Sequence, residues 1–264
     1  MRHAETSFTY SEGLVVTHIL GHRGAQLERP ENTILAYRQA DALGAYGIEM
    51  DVYLLSDGSL VIHHDKVVGD EKKDIYLMTG KEVSAVRCKK EYNGICYEDS
   101  IPCFSDFLDY MKTNQMFFNV EIKSESGFLS EVGDRVMEAL DQSGLRERTI
   151  ISSFSHDLLR NICKKYPSYQ LGILYSDSHK IDVVSYCLQY GFHAIHPHFS
   201  EVTKELVDRC HENGLLVNTW TVNHEQDILK MIEYGVDNII TNDVRTALRL
   251  LNESRDSVLQ NNIN

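Results

Sequence analysis

The chain has no Lys/Arg-rich run. Its 26 basic residues are outnumbered by 39 acidic ones, a formal net charge of −13 over 264 residues. That balance argues against nucleic acid or an anionic membrane as the main partner. Long apolar runs are missing too. None approaches the roughly 18 residues of a membrane span, so no span is expected. The stretch MRHAETSFTYSEG at the N-terminus is polar and lacks the apolar core of a secretory leader, so no signal peptide is expected. Cys88, Cys96, Cys103, Cys163, Cys187 and Cys210 form no CxxC pair. A zinc site is therefore disfavoured, and reduced thiols in a cytoplasmic protein are the expectation. There are no long internal repeats and no linker-like stretches.

What is present suits one soluble domain over residues 1–264, with 42% hydrophobic and 25% charged residues. Apolar and helical spacings alternate along it. A strand over 14–20 precedes a helix that Asn32 or Thr33 can cap and Gly44 can end. A strand over 46–55 turns at Ser56-Asp57-Gly58-Ser59 into a short β arm at 60–63. Helices are expected at 105–113, 128–142, 156–165, 179–190, 202–212, 224–234 and 244–252. Strands are expected at 116–122, 148–153, 169–175, 192–196, 215–220 and 236–241. The polar tail 252–264 is expected to fray. Eight strands, each followed by a helix, favour a closed α/β barrel, (β/α)₈, over a doubly wound open sheet. The segment of about 66–101 has no sustained period. It reads as a small insertion after the second strand, with helical content around 79–86.

Polar residues collect at the expected C-terminal strand ends: His22, Glu49 and Asp51, Glu121 and Lys123, Ser153, His198, Trp220 and Asn242. In a barrel these ends share one rim, where active sites are built. Glu49 and Asp51, two apart on a strand, point to the same face. With Glu121 they form a hard-oxygen set suited to Mg²⁺ or Ca²⁺, or to Mn²⁺, rather than to zinc. His22 and His64 sit at strand-to-loop turns beside Arg23 and Asp65, and two histidines can serve as base and acid in one phosphoryl displacement. Asp65 can orient an imidazole. Arg23 and Lys123 suit a phosphate clamp, or ion pairs with Glu49 or Glu121. Trp220 can wall the alcohol part of a substrate. His63 is expected to be structural, and His196-Pro197-His198 is weak evidence for a ligand pair. Together the set suits hydrolysis of a phosphate ester.

These stretches resemble those of glycerophosphodiester phosphodiesterases. The matching residues are His22-Arg23-Gly24-Ala25, Pro30-Glu31-Asn32-Thr33, Ile48-Glu49-Met50-Asp51-Val52, Asp57-Gly58, His64-Asp65, Val120-Glu121-Ile122-Lys123, Ser152-Ser153-Phe154, Trp220-Thr221-Val222-Asn223 and Gly235-Val236-Asp237. The resemblance implies a TIM barrel with a small insertion after the second strand. It implies a divalent cation on Glu49, Asp51 and Glu121, acid/base roles for His22 and His64, and phosphate contacts from Arg23 and Lys123. The implied reaction cleaves a small-molecule glycerophosphodiester to glycerol 3-phosphate and an alcohol. A phospholipase-D-like action on lysophospholipids is the alternative. It would need an apolar groove at the mouth, for which Ile75, Tyr76, Leu77 and Met78 are the candidates. A barrel that only binds phosphodiesters would have lost a histidine or a carboxylate, and all are present. Two departures stand out. Lys66-Val67-Val68-Gly69 follows His-Asp where the family has Arg-Thr, which puts the insertion's substrate contacts in doubt. Thr241-Asn242 stands where the family's closing strand reads Thr-Asp, and this one is expected to touch no catalytic group. Oligomeric state is left open.

Overall fold

The computed structural model of the protein describes residues 16–123, 129–175 and 181–261. The strands are β1 (His18–His22), β2 (Gly47–Leu54), β3 (Leu60–Ile62), β4 (Val67–Val68), β5 (Lys73–Asp74), β6 (Arg87–Tyr92), β7 (Ile95–Ser100), β8 (Phe117–Ile122), β9 (Thr149–Ser153), β10 (Gln170–Leu174), β11 (Ala194–His196), β12 (Leu216–Thr219) and β13 (Asn238–Thr241). The helices are α1 (Ile34–Leu43), α2 (Gly80–Ser84), α3 (Phe104–Met111), α4 (Leu129–Ser143), α5 (His156–Lys165), α6 (Val183–Tyr190), α7 (Lys204–Glu212), α8 (Glu225–Tyr234) and α9 (Val244–Asn261). Strand order runs β1-β13-β12-β11-β10-β9-β8-β2, and β1 pairs with β2 to close the ring. All eight pairings are parallel. This is the (β/α)₈ barrel. Arm β3 runs antiparallel on β2.

Alternation along the strands makes two apolar layers. Outward residues such as Ile48, Met50, Phe118, Val120 and Ile151 are buried against the helices. Inward residues Leu20, Phe117, Ile150, Ala194, Leu216 and Ile240 fill the ring. Several helices start where short polar side chains accept from the first turn, whereas Cys103 before α3 and His224 before α8 make no such bond. Thr33 Oγ1 takes the Ala36 N–H at 3.2 Å, and Ser155, Asp182 and Thr203 cap α5, α6 and α7 in the same way. Each such cap contributes about 1 kcal/mol.

Two boundaries differ from expectation. The first strand begins at His18, not Leu14. Residues 14 and 15 lie outside the described residues, and Val16 is 51% exposed. Register against β13 and β2, not apolar composition, places the strand, so His22 is its last residue. The tail also continues as helix to Asn261 instead of fraying at 252. Leu250 and Leu251 are buried there, Arg249 pairs with Glu253 one turn on, and Arg255 donates to Thr17 O at 3.0 Å. Residues 262–264, and the first residues expected in the helices at 128 and 179, lie outside the described residues.

Segment 66–101 holds a β4-β5 ladder, the short helix α2 and the β6-β7 hairpin. Ile75 and Val83 are fully buried with Tyr53 and Val61, so the first half carries a satellite core. The hairpin was not expected, because its side chains show no sustained apolar alternation. Its signal was Asn93-Gly94, both at positive φ (50° and 75°), a turn that joins two strands directly. It straps onto the barrel: Leu35 N donates to Asp99 at 3.0 Å, and the Arg29 guanidinium lies 3.7 Å over the Tyr97 ring.

Candidate active site

The loop from β1 to α1 folds back over the barrel mouth. Arg23, Gly24 and Asn32 sit at φ +56°, +83° and +54°. At Gly24 a Cβ would stand 2.8 Å from the Ala36 backbone, so glycine is required. Asn32 N donates to Arg23 O at 3.0 Å and closes the loop. The turn aims two groups at the carboxylates: Arg23 N donates to Glu49 Oε2 at 3.1 Å, and Asn32 Nδ2 donates to Asp51 Oδ2 at 2.9 Å. Thr33, not Asn32, caps the helix, which frees Asn32 for this bond.

Register brings the acids together. On β2 and β8, Glu49 stands opposite Asn119 and Asp51 opposite Glu121. Glu49, Asp51 and Glu121 each bring an oxygen within 4.8 Å of the others. Burial, then the Asp51 and Glu121 charges, push the Glu49 carboxyl well above its usual range. Burial likewise raises Glu121, against the pull of Lys123. Burial acts on Asp51 in the same sense, but Lys123 and Arg23 outweigh it and hold this carboxyl low. Lys123 Nζ lies 2.9 Å from Asp51 and 2.7 Å from Glu121, while Arg23 reaches Asp51 at 3.3 Å and Glu31 at 2.9 Å. Both cations therefore ion-pair. Arg23's side-chain partners are Asp51 and Glu31, not Glu49 or Glu121 as expected from sequence. Two buried carboxylates and the partly buried Glu121, faced by two cations, one of them shared with Glu31, leave negative charge uncompensated. That surplus and the all-oxygen donor set fit a divalent cation.

His22, Arg23, Glu49, His64, Glu121, Lys123 and Trp220 line one pocket, with Asn119 and His196 at the same walls. Every expected site residue except Asp51 is in that lining, and Asp51 touches it through Lys123 and Arg23. Beside these polar groups the lining has apolar members, Phe154, Leu174, Trp220 and Ile240. Burial and then the Arg23 charge lower the His22 pKa to about 4, so its imidazole is neutral at pH 7. His64 Nδ1 lies 2.8 Å from Asp65 Oδ1, the orienting bond expected from sequence. Trp220 Nε1 donates to His196 O at 2.9 Å and meets the Phe154 ring edge-on at 5.9 Å.

Several expectations change. His196 and His198 form no ligand pair: His196 is fully buried, and His198 Nδ1 turns to Ser200 at 2.7 Å. His63 bonds the Val67 carbonyl at 3.2 Å, a structural contact. Of the four groove candidates in the insertion, Ile75 is fully buried, Tyr76 is partly exposed, Met78 is 7% exposed and lines a separate pocket with Val68 and Val86, and Leu77 is 82% exposed. None of them lines the barrel-mouth pocket. Asn242 does touch a proposed catalytic group, since its Oδ1 lies 2.7 Å from His22 Nδ1. Sequence reasoning missed Gln26 as well, whose Nε2 reaches the same Asn242 oxygen at 2.7 Å. No local spacing signals a contact between residues 216 positions apart; Gln26 follows the His-Arg-Gly-Ala motif, and that proximity was the one available cue.

The sequence model of the glycerophosphoryl diester phosphodiesterase family matches residues 22–246. A glycerophosphodiester phosphodiesterase of Caldanaerobacter subterraneus subsp. tengcongensis is 33% identical over 242 residues, covering 89% of this chain and 98% of that protein. A crystal structure of a putative glycerophosphoryl diester phosphodiesterase from Silicibacter pomeroyi superposes with a TM-score of 0.84 at 24% identity, over 91% of this chain and 94% of the other. A phosphodiesterase from Oleispira antarctica, solved with the product sn-glycerol-3-phosphate, gives 0.79 at 23% identity, over 89% and 96%. These two likenesses are of fold.

Proposed function

The chain belongs to the glycerophosphoryl diester phosphodiesterase family, and from that premise we propose that it hydrolyses small glycerophosphodiesters to glycerol 3-phosphate and an alcohol. The observation that carries this reading is one pocket lined by two cations, two histidines, Glu49 and Glu121, with the third carboxylate, Asp51, ion-paired to both cations. The Oleispira antarctica phosphodiesterase, solved with sn-glycerol-3-phosphate as its product, supports the choice of product.

Glu49, Asp51 and Glu121 would hold Mg²⁺, Ca²⁺ or Mn²⁺, which when bound would polarise the phosphoryl group as a Lewis acid and offset its charge. Arg23 and Lys123 bind the phosphate in a chain whose net charge would otherwise repel it. His22 is neutral at pH 7 and accepts the proton of the attacking oxygen at Nε2. A bond forms from that oxygen to phosphorus, and the bond from phosphorus to the alcohol oxygen breaks. His64, oriented through Nδ1 by Asp65, gives its proton to the departing alcohol. Trp220 and the other apolar members of the lining receive the alcohol portion. Six unpaired cysteines suit a reducing cytoplasm. Among the described residues no helix is long and apolar enough to cross a membrane.

The test is release of glycerol 3-phosphate from glycerophosphocholine with Mg²⁺, Ca²⁺ or Mn²⁺, and its loss on adding a chelator. No release with any of the three ions, from folded protein, would overturn the reading.

A further inference from the structure

We propose that Tyr53 is a positioning residue: its hydroxyl holds the main chain at His64 and so sets where that imidazole stands at the pocket. This rests on the reading of His64 as the general acid. The contact allows one assignment of roles. A main-chain carbonyl only accepts, and Tyr53 OH lies 3.0 Å from His64 O, so the hydroxyl is the donor. Packing fixes Tyr53 in turn. It is 1% exposed, lies with Val61, Ile75 and Val83 in the satellite core, and meets the Tyr76 ring edge-on at 5.4 Å.

His64 needs such a hold. It stands in the bend between β3 and β4, outside any strand, yet it lines the pocket. Asp65 can turn the ring through Nδ1, but its side chain is 66% exposed and the bond competes with water. Asp65 also lies next along the same bend, so it moves with His64 and cannot fix the pair against the barrel. Three contacts do that. His63 N donates to Asp51 O at 3.1 Å, Ile75 N donates to Lys66 O at 2.8 Å, and Tyr53 OH holds the carbonyl between them. Of the three, the Tyr53 bond alone comes from a side chain. Tyr53 follows Asp51 by two on β2, so both leave the strand on the same face, as Glu49 does. One strand thus carries two of the proposed ion ligands and the anchor of the proposed acid. The spacing between those carboxylates and the imidazole is then set by strand geometry, not by the loop. A misplacement of about 1 Å at such a group can cost on the order of 100-fold in rate.

The experiment compares wild type, Tyr53→Phe, His64→Ala and the double variant, as full chains with Mg²⁺. Each is assayed on glycerophosphocholine and on a glycerophosphodiester whose leaving group is a nitrophenolate. Tyr53→Phe removes one oxygen and keeps the buried ring, so the satellite core should persist. On glycerophosphocholine it should lower kcat by about 10- to 100-fold with KM unchanged, a part of what positioned proton transfer supplies. On the nitrophenyl diester its rate should return to near wild type, because that leaving group needs little protonation. In the His64→Ala background the substitution should cost nothing further on either substrate. Calorimetric affinity for Mg²⁺ should match wild type. Equal loss on both substrates, or a further loss in the double variant, would overturn the proposal by making the hydroxyl a general support of the strand. Weakened Mg²⁺ affinity would do so too, since Tyr53 would then act through Asp51. Should His64→Ala itself fail to discriminate between the substrates, the general-acid reading falls and the role of Tyr53 with it. Discrimination by His64→Ala without it in Tyr53→Phe removes Tyr53 alone.

Discussion

Asn32 gives one amide hydrogen to Asp51 across 2.9 Å, from a backbone at φ +54°. Tyr37 OH in turn donates to Asn32 Oδ1 at 3.1 Å, so the carboxamide is held at both ends. The bond fixes one Asp51 oxygen and leaves the other to Lys123. Asn32→Ala should therefore loosen Asp51 and weaken metal binding by about 10-fold or more, as loss of such supporting bonds does elsewhere. Calorimetric titration of Mg²⁺ checks this; an unchanged affinity would remove Asn32 from the site.

The barrel was legible because its signals are local. Alternating apolar strands, helical spacing and capping residues such as Thr33 each act within a few residues. The acidic centre was legible for the same reason, since Glu49 and Asp51 at i and i+2 must share a face. What escaped is long-range or lacks apolar contrast. Asn242 reaches His22 only because β1 and β13 are neighbours in the closed ring. Arg23 turned to Glu31 and Asp51 because its left-handed backbone redirects the side chain, which no pattern announces. The β6-β7 hairpin hid because Lys90 and Asp99 interrupt the face that Cys88, Tyr92, Ile95 and Tyr97 share. The extended α9 hid because a polar surface helix and a frayed tail have similar composition.

Glu49→Gln tests the ion site directly. The substitution removes one of three negative charges while keeping volume, so affinity for the cation should fall by about 10-fold or more. Without metal the same change should stabilise the fold, because Glu49 is buried against Asp51 and Glu121 and its ionised form is disfavoured there. Calorimetry and urea unfolding in chelator check the two halves. Equal affinity in both proteins would sink the ligand assignment.

Gly172 on β10 lies under the His196 ring. A Cβ there would stand 2.2 Å from Nε2, inside a fully packed interior. Gly172→Ala should cost about 1–3 kcal/mol or more, the usual penalty of overpacking, and show it as a lower urea midpoint. Pairing it with His196→Ala should return part of the loss, because the clash is with that ring. Equal loss in single and double variants would contradict this account.

His196 also sets a pH dependence. Burial lowers its pKa to about 3, and Asn218 Nδ2 lies 3.0 Å from Nε2. In the unfolded chain the same imidazole titrates near 6.5. Between those values the unfolded state binds one proton that the folded state refuses. Stability should therefore fall as pH drops from about 6.5 toward 3, by up to about 1.4 kcal/mol per pH unit from this group. His196→Gln keeps an acceptor for Asn218 and should remove that part of the slope. Urea unfolding across this range, wild type against variant, measures it; parallel curves would refute the assignment.

His22 and His64 differ in their surroundings, and the difference predicts different failures. His22 is neutral at pH 7 and sits against an amide oxygen, which suits a proton acceptor. His64 Nδ1 sits against the Asp65 carboxylate, which orients the ring for giving a proton to the departing alcohol. Replacing either by Ala should lower kcat on glycerophosphocholine by about 10²- to 10⁴-fold, the usual yield of positioned proton transfer. Fold and metal affinity should persist, because neither ring is a proposed ligand. A diester whose leaving group is a nitrophenolate needs little protonation as it departs. His64→Ala should then recover much of its rate on that substrate, while His22→Ala should stay slow, since the attacking oxygen must still lose its proton. The reverse pattern would exchange the two roles. Near-wild-type rates in both variants on glycerophosphocholine would remove the histidines from the chemistry and leave the three carboxylates, Arg23 and Lys123 to account for it.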